Sequence, residues 1–275
     1  MNVVYQGFFL REGLIRLGHN VIDLSFSDGD DINDKLECVE CRIDLVVLEL
    51  WTLKKIPINL HKCKYTLVAY SIDSPLNEFW FCEMSRIFDH VFVDQKSSVR
   101  SLKQKGVQAR WLPLCAQTKD FRHAPPKKKY DIMFVGNTSG YRVKRNNLLG
   151  LLKKHFSVTV LQDIAAAEMS GLFSQSKIVL NENFFSGLTL RIFQGLAAGS
   201  LVLTEEGGHG VDEYFKEGEH LDCYNPCNVI SVFSKVLASY EEYSPVAMRG
   251  REICEKFHTT EARDRALLQH TQDKS

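Results

Sequence analysis

Residues 181–206 read NENFFSGLTLRIFQGLAAGSLVLTEE, and the fold turns on how that stretch parses. Lys177 to Leu180 (KIVL), just before it, is apolar and β-branched, the end of a buried strand. Asn181 to Gly187 is polar and breaks the run, so it is the loop after the strand. Leu188, Ile192 and Leu196 recur at a spacing of four, which predicts a helix over 188–198. Gly199 is its stop, because glycine enters the left-handed cap without steric cost. Leu201 to Leu203 is the next strand. Arg191 and Gln194 share a face off the apolar stripe and can reach one ligand. The helix start at Gly187, Leu188 and Thr189 offers unpaired N–H groups and a partial positive charge, which favours an anion such as a phosphate. Gly195, Ala197, Ala198 and Gly199 let backbone or ligand approach closely. The same residues also suit a plain βαβ crossover whose Arg and Gln are solvated.

Moving towards the amino terminus, a second βα pair points the same way. Asp131 to Val135 (DIMFV) predicts a strand and Gly136 to Gly140 (GNTSG) a small loop. Tyr141, Arg142, Lys144 and Arg145 then open a helix through Phe156. A glycine-flanked loop, a helix start and several cations within ten residues make a pyrophosphate cradle. Cations at a helix start oppose its dipole, a local conflict of the kind found at functional sites. The polar stretch from Cys115 to Lys129, with Pro125, Pro126 and the basic run Lys127 to Lys129, is the linker candidate, its lysines read as a solvated hinge.

The amino-terminal half repeats the alternation. Asp44 to Trp51 (DLVVLELW) and Tyr65 to Ile72 (YTLVAYSI) are near-continuous apolar strands separated by helices, the mark of a parallel sheet covered on both faces. Asp73-Ser74-Pro75 follows the second of them. An aspartate at the carboxyl end of a parallel strand lies where such sheets bind ligands, and it also suits the N-cap of a helix over 76–88. The first strand-to-helix turn, at Gln6-Gly7, lacks the three-glycine dinucleotide fingerprint, which argues against an NAD enzyme. Asp28-Gly29-Asp30 could hold a metal but reads better as a solvated turn before a helix start.

Composition sets the bounds. The 275 residues fit one large or two ordinary domains, and 44% hydrophobic with 25% charged residues is globular. A formal net charge of zero does not favour nucleic acid or anionic membrane as the main partner. No apolar run is long enough to span a bilayer and no secretory leader is visible, so a cytoplasmic protein is expected. The eight cysteines then read as reduced thiols. Cys38-x-x-Cys41 with His61 and Cys63 has the ligand types of a zinc site but no shared loop to hold them, so no metal is expected. Phe79, Trp80 and Phe81 suit core, groove or interface alike.

With these pieces placed, a resemblance becomes specific. Gly136-Asn137 after a strand, Leu180-Asn181, then Gly187-x-x-x-Arg191-x-Phe193-Gln194-x-x-Ala197-x-Gly199 and Leu203-Thr204-Glu205 together resemble the carboxyl-terminal domain of CgeB-type glycosyltransferases, relatives of the retaining GT-B enzymes. Ser71 to Pro75 resembles the first-domain motif, and the likeness runs from Met1 to about Ser234. It implies an α/β chain of two Rossmann-like domains, the first one short, and a nucleotide sugar bound mainly to the second. The expected division is 1–122, 123–250 and a helical tail over 251–275. By that analogy Gly136, Asn137, Arg142 and Lys144 line the diphosphate with help from Arg191, while Asn181 and the 187–189 helix start lie against sugar or phosphate. Leu201 to Thr204 flanks the nucleotide, and Asp73 faces the reacting centre. Gln194 stands where the family has a glutamate that binds both ribose hydroxyls, and Ser186 where its partner glutamate stands. Glutamine keeps one acceptor but loses charge-assisted strength.

The resemblance therefore implies metal-independent transfer from a nucleotide sugar, UDP-linked, with no cofactor, to a glycan, protein or nucleobase. Two other readings stay open: a catalytically silent sugar-nucleotide-binding scaffold, which would bind donor without turnover, and a nucleotide-sugar epimerase, which would convert donor without an acceptor.

Overall fold

The structure is a computed structural model that describes residues 1–27, 29–51, 56–121, 127–184 and 187–272. The chain folds as two compact units, Met1–Leu114 joined by the chain from Thr260 onward, and Cys115–Thr259.

The first unit is built from β1 (Asn2–Gln6), α1 (Arg11–Arg16), β2 (Asn20–Asp23), α2 (Ile32–Glu37), β3 (Leu45–Leu50), β4 (Leu67–Ser71), α3 (Ser74–Met84), β5 (His90–Val93), α4 (Lys96–Gln104) and β6 (Ala109–Trp111). Its six strands pair in parallel in the order β2-β1-β3-β4-β5-β6. Chain order runs outward from β1 to β2 and then restarts on the other side at β3. The carboxyl ends of β1 and β3 therefore flank the switch point where such sheets bind ligands. Val4, Val46, Leu48, Leu50, Ala69 and Phe81 form the core. All of β3 is buried, as a strand covered on both faces requires, and Glu49 lies inside it.

The second unit carries β7 (Tyr130–Val135), α5 (Val143–Lys153), β8 (Val158–Leu161), α6 (Ala166–Ser174), β9 (Ser176–Asn181), α7 (Leu190–Ala197), β10 (Leu201–Glu205), α8 (Val211–Tyr214), β11 (Asp222–Tyr224), α9 (Val229–Ala238) and α10 (Tyr240–Phe257). The strands are again parallel, ordered β11-β10-β9-β7-β8, with the switch point between β7 and β9. Ile132, Phe134, Ile178, Leu180, Leu201, Leu203 and Phe233 fill the core. The crossover read from residues 181–206 is present as β9-α7-β10. Gly199 closes α7 at φ +72°, with Gly199 N–H donating to Leu196 O and Ser200 N–H to Gly195 O, the reciprocal pair of a Schellman cap.

The structure corrects one expectation and refines two others. The tail over 251–275 is not one element. Residues 251–257 complete α10 in the second unit, and α11 (Thr260–Gln272) packs on α1 in the first. Lys128 is not a solvated hinge: its ammonium is drawn inward and donates to Ser174 O, Gly199 O and Ser200 Oγ, and burial pulls its pKa down to about 8. The aromatic triplet separates by helical angle, Phe81 buried in the core, Trp80 half-buried with its indole N–H on Asn77 Oδ1, and Phe79 exposed. Ser186, Asp28, Pro125 and Pro126 lie outside the described residues.

Candidate active site

The second unit gathers its polar side chains at the carboxyl ends of β7, β9 and β10. β7 stops at Val135, and Gly136 follows at φ +154°. The loop after it is held by its own polar groups. Ser139 N–H donates to Asn137 Oδ1 at 2.7 Å, and Thr138 N–H to Gln162 Oε1 at 2.9 Å. Arg145, one turn into α5, is turned inward. Its Nε and a terminal nitrogen donate to Glu182 Oε2 at 3.0 and 2.9 Å, and its other terminal nitrogen to Asn137 O at 2.7 Å. Both members of this ion pair are buried. Arg145 thus fixes the loop and spends its charge on Glu182.

Arg191 is different. Its guanidinium lies 4.3 Å from the Phe134 ring centroid, donates from Nε to Val135 O at 3.0 Å, and from a terminal nitrogen to Asn181 Oδ1 at 3.2 Å. Both acceptors are neutral. Burial, reinforced by the positive charge of Arg145 and opposed by Glu182, pulls its pKa down to about 10. A cation whose bonds end on neutral oxygens in a desolvated place favours an anion beside it. A Cβ at Gly136 would stand 2.5 Å from its remaining nitrogen, so any side chain there would push the guanidinium aside.

Arg142 adds a second cation. Its guanidinium stacks 3.6 Å from the Phe184 ring centroid, and its Nε and one terminal nitrogen are buried with no hydrogen-bond partner among the described residues. Buried guanidinium N–H groups are ordinarily satisfied, so such atoms mark a place for a missing acceptor. Thr189 precedes α7 in an extended conformation, but its hydroxyl donates to Asn181 Oδ1 instead of capping the helix. The first N–H groups of α7 therefore have no side-chain cap and carry the positive end of its dipole. Gly187 bridges to His209 beside this helix start, and Leu188 is buried.

Other expected site residues have internal work. Asn181 is a hub, its Oδ1 accepting from Thr189 and Arg191 and its Nδ2 donating to Thr204 Oγ1 and Asn183 Oδ1. The Arg191 donor fixes which end of that amide is oxygen. Thr204 is fully buried in the same network, so it supports the site from within. Lys144 reaches Glu205 Oε2 at 2.7 Å from an exposed position. Gln194 is buried on α7. Sequence reasoning missed Glu182, Asn183 and Phe184, which directly follow β9. A carboxylate and an amide straight after an apolar strand were the available signal.

Asp73 belongs to the first unit. It precedes α3 in the left-handed region at φ +51°, a conformation costing about 1 kcal/mol or more for a residue with a side chain. Its side chain makes no cap bond, in contrast to the capping alternative. Buried Asp94, just beyond β5, takes that role, accepting from Ser74 N–H, Ser74 Oγ and Asp73 N–H. Among the described residues no group of three or more His, Cys, Asp or Glu is placed to hold a metal, and Cys38, Cys41, His61 and Cys63 do not assemble. No described helix is long and apolar enough to cross a membrane.

A switch point with one unneutralised guanidinium, a second with orphaned donors and an uncapped helix start is built to receive an anion. A family profile described as "Glycosyl transferase-like" matches residues 119–269, more than half of the chain and nearly all of the unit that carries this site. The chain belongs to this glycosyltransferase family. No protein of curated function matches it significantly. Solved structures resemble it end to end. Sucrose-phosphate synthase from Thermosynechococcus elongatus aligns with TM-score 0.68 at 12% identity, over 99% of this chain and 98% of its own. HepE from Anabaena, solved with UDP-glucose, aligns with TM-score 0.66 at 10% identity over the whole of both chains. A glycosyltransferase from Rickettsia africae aligns with TM-score 0.62 at 10% identity over 99% of both. At such identities the likeness shows the fold, two parallel α/β sheets of GT-B type with a helical carboxyl terminus. The chain is thus a glycosyltransferase, an enzyme.

Proposed function

We propose that this glycosyltransferase, of the CgeB type, takes a UDP-linked sugar at the second unit's switch point and transfers it to an acceptor hydroxyl without a metal or cofactor. The observation that carries this reading is the pair of guanidiniums left without anions: Arg191 bonded to neutral oxygens, and Arg142 with buried donors unfilled. A diphosphate supplies what both lack. A structural neighbour solved with UDP-glucose supports uridine as the base. Eight free cysteines fit a cytoplasmic setting.

The chemistry needs positive charge more than a nucleophile. As the bond from the sugar's anomeric carbon to the phosphate oxygen breaks, its electron pair stays on the diphosphate. Arg191, Arg142 and the first N–H groups of α7 face that growing charge. Each fixed donor of this kind contributes about 2.7–4 kcal/mol. These cations do the work a divalent metal does elsewhere. The acceptor hydroxyl forms the new bond to the anomeric carbon. Its proton passes to a carboxylate in an inverting transfer, for which Asp73 is the proposed acceptor, or to the leaving phosphate in a retaining one. Gln194 offers the ribose one acceptor and two donors in place of a carboxylate.

A thermal-shift and calorimetric screen of UDP-, GDP-, CMP- and dTDP-sugars tests the reading. The UDP-sugars should raise the melting temperature by binding the native state alone. Arg191→Ala should weaken that binding by about 30-fold or more, the cost of removing one partner of a buried charge pair. Arg142→Ala should weaken it too while leaving the unliganded melting temperature unchanged. A folded protein unmoved by every nucleotide sugar would overturn the donor site. Donor binding without transfer or hydrolysis would leave a binding module.

A further inference from the structure

The first unit has a switch point of its own, and it is not empty space. A cavity of about 650 Å³ opens there, lined by Gly7, Phe8, Arg11, Asp23, Glu49 and Trp51 among others. What it can bind follows from what already fills its floor.

In a βαβ sheet the turn after the first strand ordinarily presents N–H groups to a phosphate. Here the chain supplies the anion itself. Glu49, 3% exposed, accepts from Phe8 N–H at 2.8 Å, Phe9 N–H at 3.0 Å and Leu10 N–H at 3.0 Å, and from the Tyr5 hydroxyl. Gly7 leaves room for that carboxylate, because a Cβ there would collide with it. The donors that would greet a phosphate are spent, and a second anion would meet an acidic floor.

The walls are of another kind. The rings of Phe8 and Trp51 stand 4.8 Å apart, and both are solvent-exposed, at 47% and 42%. Paired aromatic faces held open to water suit a partner with a flat apolar face. Opposite chemistry sits on the same cavity. Arg11 grips Asp23 through Nε and a terminal nitrogen at 2.7 and 2.6 Å. That pair has no net charge, yet it presents acceptors and donors side by side, as neighbouring hydroxyls require. An apolar platform, a few fixed polar groups and no room for a second negative charge describe a site for a neutral ring with hydroxylated edges.

We propose that this cavity is a neutral pyranoside site, with Phe8 and Trp51 under the C–H face of the sugar and the Arg11–Asp23 pair on its hydroxyls, and that it rejects phosphorylated sugars. As the acceptor site of the transfer proposed above it rests on that reading. As a saccharide site it stands without it.

Saturation-transfer NMR on the full chain provides the test, with methyl α-glucopyranoside, methyl α-mannopyranoside and methyl β-galactopyranoside as neutral probes and glucose 6-phosphate as the anionic one. At least one neutral probe should show transfer, and glucose 6-phosphate none. Trp51→Ala should weaken the signal about tenfold or more, and Asp23→Asn should weaken it less. Both substitutions are at exposed positions, so folding is preserved, and a parallel UDP titration should be unchanged by either. The proposal is overturned if no neutral pyranoside binds, if glucose 6-phosphate binds equally well, or if Trp51→Ala leaves binding intact. Pyranoside binding with no UDP binding would support this site and sink the donor site. UDP binding with no pyranoside binding would do the reverse.

Discussion

Gly7 and Gly136 occupy the same place in their two units. Each follows the first strand of its sheet, at φ +146° and +154°, and at each a Cβ would strike a charged side chain reaching over from a neighbouring element. At Gly7 that group is the carboxylate of Glu49; at Gly136 it is the guanidinium of Arg191. One backbone device thus seats charges of opposite sign. In the first unit the acid takes up the turn's own N–H groups and the switch point is neutralised from within. In the second the base bonds only neutral oxygens and the switch point stays cationic. Topology tells where a ligand goes in such a sheet. The side chain behind the glycine decides whether that ligand is an anion.

The sharpest way to break this comparison is to add a methyl group at each glycine. Gly136→Ala should displace Arg191 and weaken UDP-sugar binding by about 30-fold, the scale of losing one partner of a buried charge pair. Gly7→Ala should leave donor affinity unchanged below the melting transition. It should instead lower stability by about 1–3 kcal/mol, by crowding a buried carboxylate and straining the backbone. Calorimetry with UDP and urea unfolding read the two outcomes. Equal loss of donor affinity in both variants would mean that the two glycines do not have separate roles.

A second contrast lies within the cationic site. Arg145 and Lys144 are adjacent in sequence, and each pairs with a glutamate. The Arg145–Glu182 pair is buried and the Lys144–Glu205 pair lies open on the lysine side. Glu182→Ala should cost about 3–5 kcal/mol, because it strands a guanidinium in the interior. Lys144→Ala should cost no more than about 1 kcal/mol. Urea unfolding curves decide this. Comparable losses would show that the buried pair does not hold the loop.

These contrasts mark what the sequence could tell. Strand and helix placement was legible, because parallel strands buried on both faces read as apolar runs and α7 carries its spacing and its glycine stop openly. The cluster Arg142, Lys144, Arg145 was legible only as charge. Their fates diverge by helical angle and by partners distant in the chain: one stacks on Phe184, one reaches Glu205, one is buried on Glu182. No local pattern encodes that. The same holds for Asp94 capping α3 in place of Asp73, for Lys128 turning inward onto Gly199, and for α11 returning to α1. Each depends on a tertiary partner that periodicity does not register. Glu49 was hidden by its own strand, where one acid in an apolar run looks like noise.

The return of α11 also places a second acid near the first. Asp264 is fully buried against Gly13, where a Cβ would collide with its carboxylate. Burial first, then the charges of Glu49 and Glu261, push its pKa up to about 9. Glu49 is itself raised by burial, though its hydrogen bonds oppose that. Between about pH 4 and pH 9 the folded chain holds the Asp264 proton and the unfolded chain has released it. Stability should therefore be greatest at the acid end of that window and fall as pH rises, by about 1.4 kcal/mol per pH unit for one such proton. Asp264→Asn keeps the shape and removes the proton. It should flatten the slope and leave the protein more stable than wild type at pH 8. The acidic switch point would then depend on its second carboxyl group staying neutral. Urea unfolding from pH 5 to pH 8 reads the slope, and a wild-type stability that rises with pH would show that Asp264 is ionised in the fold.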